Sequence, residues 1–385
     1  MIEVLASGSN GNCQLGLGHE EDVNVFEKCI FDNPYTIKNV IDIKAGGNHT
    51  LAIVEFENGE RKLYGSGRNS EHQLGESNEE IFDKFYELSL TKINLKGWSP
   101  SLISACWNTS YVVFENTERD QLLISFGDPE FGCRASQSIS NDSIVNVIEG
   151  DELDLNDFII THLSSSFRHV MLGLQHRHKT FSRVLGWGAC RKGQLGDQFT
   201  KLSYLNKPTT LLESNEIILD LVTGRDHSIV HLSNNEFHLW GKNSFGQLSI
   251  SDINSLKVIK SGWRCCVGYD GHSLKTYGSK WTKTHGSINN ASGIIFNSDL
   301  SISKISVGSE HTLFLLENND FFSFGWNEHG NLANGNNENQ EIPQKVCLNP
   351  YLLILNLFSG NATSWIVVNN SNAGFNEINN NNRHV

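Results

Sequence analysis

Two short phrases alternate along this chain, and their alternation limits the folds open to it more than any other feature. The first is Gly-x-x-His-Thr followed by an apolar run, clearest in "GGNHTLAIV" (46–54), "GRDHSIVHL" (224–232) and "GSEHTLFLL" (308–316). Weaker copies are "CWNTSYVVF" (106–114), "SFRHVMLGL" (166–174), "GWRCCVGYD" (262–270) and "GNATSWIVV" (360–368). The second is Gly-x-Asn-x-x-Gly-Gln-Leu-Gly, as in "SGSNGNCQLG" (7–16), "SGRNSEHQLG" (66–75), "WGACRKGQLG" (187–196), "WGKNSFGQLS" (240–249) and "FGWNEHGNLA" (324–333). Degraded copies stand at 126–134 and 277–286. Each phrase occurs seven times, in strict alternation, with a period of about 53 residues. A period near fifty is that of a stacked or radially repeated supersecondary unit.

Between the phrases lie β-rich runs joined by Asn/Asp turns, such as "HTLFLLENNDFFSFG" (311–325), and helical periodicity is nearly absent. Short antiparallel sheets repeated around an axis dispose of their open edges by closing into a ring. The expected fold is therefore all-β, a seven-bladed β-propeller. The first copy of the second phrase has no partner before it, and the last copy of the first phrase (360–364) has none after it. The last blade is thus expected to be closed by the N-terminal strand. The propeller is placed at 1–369, and 370–385 is read as a polar, Asn-rich, disordered tail. The repeated glycines suit positive φ or close backbone approach. Asn10, Asn69, Asn243 and Asn327 are expected to cap turns, and Leu15, Leu74, Leu195, Leu248 and Leu332 to pack between blades. His49, His169, His227, His311, Thr109 and Thr363 are expected to satisfy buried backbone groups near the axis. Residues 76–100 and 134–158 read as long inserts between blades, and "EGDELDLNDF" (149–158) as a solvated acidic loop.

This alternation resembles the regulator-of-chromosome-condensation repeat family over residues 1–368, and the resemblance implies the seven-bladed propeller. Within the family, "GSNGNCQLGLGHEED" (8–22), "GWNEHGN" (325–331), "CWNTSYVV" (106–113) and the single-propeller length resemble one small fungal member. That resemblance implies a non-catalytic interaction protein. It would pair with a small zinc-binding protein of diphthamide synthesis as a heterodimer and work with the Elongator complex. It would thereby serve diphthamide formation on elongation factor two and wobble-uridine modification of transfer RNA. Its place would be the cytoplasm, with the nucleus as a second compartment. A guanine-nucleotide exchange factor for a small GTPase is the first alternative; a tubulin- or cytoskeleton-linked adaptor is the second.

Composition narrows these readings. The net charge of −13 argues against a surface devoted to phosphate and would suit a basic protein partner. Direct nucleic-acid binding and membrane association are not expected, since no stretch of ~18 apolar residues occurs and the N-terminus lacks the form of a signal peptide. The eight Cys residues show no Cys-x-x-Cys spacing and read as buried, reduced thiols.

No nucleophile with its base and no convergent acid/base pair is legible, so no catalytic, cofactor or metal residues are assigned. His176 and His178 have a ligand-like spacing but no Cys or acidic neighbour in sequence, and read as a solvated loop. "WGACRKGQLG" has some look of a phosphate-cradling loop but lacks the Gly-Lys-Ser/Thr ending. Residues that follow the repeat glycines should share one face of the disc. Trp107, Phe167, Arg225, Trp263, Trp326 and Glu328 stand there and form the candidate partner-binding set, with channel plugging by the Trp side chains as the competing reading. Trp187 and Trp240, one residue before the glycine, are expected in the core.

Overall fold

The structure is a computed structural model that describes residues 1–33, 35–135, 144–149, 153–278 and 293–370. The C-terminal tail beyond residue 370 and residues 150–152 of the acidic run lie outside the described residues.

The chain is a seven-bladed β-propeller. Among the described residues its strands form seven antiparallel sheets, six of four strands and one of three. Blade 1 is typical, with strands Ile37–Ala45, His49–Phe56, Arg61–Arg68 and Ile81–Glu87 running from the axis outward. Each second strand begins at the His or Thr of the first phrase, or at Cys265 in blade 5. Each third strand ends at the glycine that begins the second phrase, or one residue past it. One repeat of the sequence pattern is therefore one blade, with its frame offset by a hairpin. The residues read as inserts hold the fourth strands Ile81–Glu87 and Val145–Val147, so part of each belongs to a blade. The described part of the acidic run also differs from a solvated loop, because Leu153 and Phe158 are buried in the core between blades.

The seventh blade joins both termini. Ile2–Gly8 pairs with Thr363–Asn370 in continuous register from Ile2↔Asn369 to Gly8↔Thr363, and Val23–Lys28 adds the outer strand. Phe31 then stacks on Phe85 of blade 1, centroids 4.6 Å apart, and fastens the closing strands to the first blade. Among the described residues blade 4 lacks a fourth strand. Its outermost strand, Phe237–Gly241, is half-buried throughout, so Trp240 is only partly covered, whereas Trp187 in the four-stranded blade 3 is fully buried.

The two phrases are parts of one joint. All seven glycines that begin the second phrase have φ between 94° and 119°. At Gly127, a Cβ would stand 2.2 Å from the Asn108 carbonyl oxygen of the neighbouring first phrase. The residue after that glycine donates its N–H to the same oxygen (Asp128 to Asn108, 2.9 Å). Beyond it, the side-chain oxygens of Asn10, Asn69, Asn243 and Asn327 accept the N–H of Leu15, Leu74, Leu248 and Leu332 at 2.8–2.9 Å. Those turns hold the leucines between blades. Leu15, Leu74, Leu195 and Leu332 are at most 1 % exposed, each burial stabilising by about 2 kcal/mol. Leu248 is half-buried beside the short blade 4.

The repeated histidines act between blades, and their partners are side chains rather than the backbone groups expected from sequence. His49 Nε2 lies 2.9 Å from Ser110 Oγ of the next blade, and Ser110 donates to the Gln73 carbonyl at 2.6 Å. His169–Ser228 and His311–Ser364 repeat the pair at 2.9 Å, and His227 meets Ser261 at 2.6 Å. Thr109 does bond backbone, donating to the Asp128 carbonyl at 2.7 Å. Seven of the eight cysteines are buried, and Cys347 is exposed, contrary to the sequence expectation for it.

Candidate functional site

The inner strands leave a channel on the axis, a cavity of about 460 Å³ lined by polar and apolar residues. Ser104 meets Ser165 at 2.6 Å and Ser164 meets Thr223 at 2.9 Å around it, and Lys260 pairs with Asp220 at 2.7 Å. Burial pushes the Asp42 carboxyl upward, partly offset by Lys44 at 3.0 Å.

At one mouth of the channel the first-phrase turns of successive blades are joined by backbone hydrogen bonds. Gly47 donates to Trp107 (2.7 Å), Trp107 to Phe167 (3.0 Å), Trp263 to Ser309 (2.7 Å) and Ser309 to Gly360 (3.1 Å). The second residue of the first phrase is thus linked around the axis from blade 1 to blade 3 and from blade 5 to blade 7. In blades 2, 3 and 5 that residue is aromatic, and the three rings meet. Trp107 lies 5.3 Å from Phe167 and 5.9 Å from Trp263, and Phe167 lies 5.7 Å from Trp263. The Arg225 guanidinium covers Phe167 at 4.8 Å and Trp263 at 5.3 Å. The four residues form one plate over the channel mouth. Each is half-buried, so the plate both caps the channel and presents aromatic surface outward.

The sequence set is thus brought together in part. Trp107, Phe167, Arg225 and Trp263 are in contact. Trp326 and Glu328 belong to the crossover of blade 6, where Trp326 packs on His329 at 5.3 Å and Glu328 is exposed. They fall outside the plate because they follow the second-phrase glycine, and the ring is built only from first-phrase turns. Glu328 still bears on this region. Burial raises the Glu310 carboxyl, Arg264 and Arg225 oppose that shift, and Glu328 adds to it.

Several neighbours of the plate carry no single-position signal in the sequence. Arg168 lies over Phe131 at 4.1 Å and Phe167 at 4.6 Å, and Arg264 and Lys242 flank Phe245 at 5.5 and 5.9 Å. Arg168 and Arg264 occupy the third position of the Gly-x-x-His turn, one residue past the plate. Only an alignment of the repeats on one another would show that blades 3 and 5 both place an arginine there.

The other candidates separate from this face. His176 and His178 have ring centroids 6.2 Å apart, and the His178 N–H donates to His176 Nδ1. Among the described residues no three His, Cys, Asp or Glu side chains gather as a metal would require. The "WGACRKGQLG" loop is a blade crossover, with the Gln194 side chain accepting the Lys192 N–H at 2.9 Å.

Known proteins resemble this chain in sequence and in fold. Models of the regulator of chromosome condensation (RCC1) repeat match residues 3–53, 302–331 and 318–353. An RCC1 repeat-containing protein of Schizosaccharomyces pombe is 25% identical over 379 residues, covering 95% of this chain and 98% of that protein. The secretion-regulating guanine nucleotide exchange factor of Mus musculus is 25% identical over 395 residues, covering 89% of this chain and 78% of that protein. The crystal structure of human WBSCR16 superposes with a TM-score of 0.76 at 16% identity, covering 96% of this chain and all of that one. The chain is a seven-bladed propeller similar to these proteins over most of its length, and the plate lies where its own repeat turns converge on the axis.

Proposed function

We propose that this propeller is a non-catalytic docking protein whose aromatic plate receives a protein partner. The observation that carries the reading is the contact of Trp107, Phe167 and Trp263 under Arg225 at an open face of the disc. Rigid aromatic side chains beside arginine are the composition of interface hot spots, and the cation–π contacts hold them in place before a partner arrives.

The partner in this proposal is a small zinc-binding protein of diphthamide synthesis, bound as a heterodimer. The propeller would then be the counterpart of the fungal alpha-tubulin suppressor, also called a killer-toxin-insensitivity protein. It would support diphthamide formation on elongation factor two and, with Elongator, wobble-uridine modification, in the cytoplasm and with access to the nucleus. Support comes from the sequence resemblance and from the match to the Schizosaccharomyces pombe RCC1 repeat-containing protein over nearly the whole of both chains. Affinity purification of the tagged chain from its own cells, with mass spectrometry and zinc analysis of the eluate, tests it. A stoichiometric small zinc protein is expected; its absence overturns this identity for the partner.

The second reading, exchange of nucleotide on a small GTPase, is favoured by the match to the mouse exchange factor over most of both chains. Acceleration of nucleotide release from a loaded GTPase at substoichiometric propeller would establish that reading. The tubulin-linked adaptor rests on the older family name alone.

A further inference from the structure

Beside the plate, between blades 3, 4 and 5, lies a pocket of about 500 Å³. Arg168, Arg191, Lys192, Arg225, Lys242 and Arg264 line it, and Asp226 is the one carboxylate residue in its wall. The whole chain has 30 Lys and Arg against 43 Asp and Glu, so the pocket inverts the charge balance of the molecule. Among the described residues, Arg264 reaches Glu310 at 3.9 Å, and the other five cations make no ion pair within 4.0 Å. Six cations gathered with so little opposing charge repel one another, and a bound anion would relieve that repulsion.

The aromatic side chains fix where the charges point. Arg168 lies over Phe131 and Phe167, Arg225 over Phe167 and Trp263, and Lys242 and Arg264 lie on Phe245. A guanidinium whose flat face is occupied by a ring keeps its N–H edge for an acceptor, in the fork geometry that fits a carboxylate. The same rings offer apolar seats between the charges. We infer that this pocket takes an acidic segment of a partner protein, a short stretch of Asp and Glu interspersed with apolar side chains. This rests on the reading of the face as a docking surface and gives the chemistry of what docks there. A nucleic acid is disfavoured by extent. Its phosphates continue past the pocket, onto the rest of a chain whose net charge is −13, while a short acidic segment ends where the cations end.

The test uses the full chain and a fluorescent peptide of Glu and Asp interspersed with Leu and Phe. Its Gln/Asn counterpart and a thymidine oligonucleotide of similar length serve as comparisons, all read by polarisation at low and raised salt. The acidic peptide should bind in a salt-dependent way and the Gln/Asn peptide should not. The double variant Lys192→Glu/Lys242→Glu should weaken binding on the order of tenfold or more. Both lysines are exposed, so the fold should tolerate the changes, and Lys192→Gln/Lys242→Gln provides a milder second variant. The inference is overturned if the acidic peptide does not bind, if both variants bind it like wild type, or if the oligonucleotide binds more tightly than the peptide. The pocket and the partner fail separately. Full-affinity capture of the zinc protein by the charge-reversed variant removes the acidic-segment inference and leaves the docking reading. Charge-dependent peptide binding without any zinc protein in the eluate supports the pocket and removes that partner.

Discussion

A methyl group added at Gly127 would sit 2.2 Å from the Asn108 carbonyl oxygen, on a residue whose φ is 105°. Neither condition is open to an L-residue without a shift of the hairpin, and backbone strain of this kind costs about 1–3 kcal/mol before the clash is counted. Gly127→Ala should therefore lower the unfolding free energy by about 3 kcal/mol in denaturant titration. Gly11 has ordinary φ, and a Cβ there would meet nothing within 4 Å, so it should accept Ala nearly without cost. Equal losses at both positions would contradict the joint described between the two phrases. The seven repeat glycines were legible in the sequence because a residue without a Cβ, recurring at one spacing, points to a backbone demand rather than to side-chain chemistry. The role of the histidines was less legible. Their partner is a serine in the next blade, far along the chain, and pairing at that separation is set by how blades pack, not by anything local.

At the scale of the element, neighbouring blades are tied through these His–Ser pairs. Ser110 donates its hydroxyl proton to the Gln73 carbonyl, so His49 must donate from Nε2, and its buried Nδ1 has no hydrogen-bond partner. A second proton would be buried there without an acceptor. Burial accordingly lowers the pKa of His49 and His169 to about 3 and of His227 and His311 to about 4. The unfolded chain takes up these protons below about pH 6.5 and the folded chain does not, so the stabilisation is complete above that pH. It is lost as pH falls toward the folded-state values, by up to about 1.4 kcal/mol per histidine per pH unit. Denaturation midpoints should drop steeply as pH falls from about 6.5 to about 4, and His49→Gln should make the drop shallower. An unchanged slope in that variant would remove His49 from this pH dependence. Blade 4 shows the limit of pattern reading at this scale. Its hairpin phrases are intact, yet the chain after "GQLS" (246–249) passes into blade 5 without laying down a fourth strand.

For the whole molecule, the ring closure was legible because two unpaired half-repeats at opposite ends have one simple arrangement, a shared blade. The plate was legible in part. Trp107, Phe167, Arg225 and Trp263 share the second position of the first phrase, and a ring of such turns brings that position to the axis. Trp326 and Glu328 follow the other glycine and were grouped with them by face alone. The basic pocket was hidden by the net charge of −13, which suggested a basic partner. A sum over the chain cannot show that cations from positions 168 to 264 converge between three blades. Docking on the aromatic plate is tested most directly by calorimetry, with the partner recovered by affinity purification titrated into wild-type propeller and into a folded Trp263→Ala variant. The expected result is a loss of about 2 kcal/mol or more, roughly thirtyfold in Kd. Wild-type affinity in the folded variant would contradict the plate's role as the docking surface.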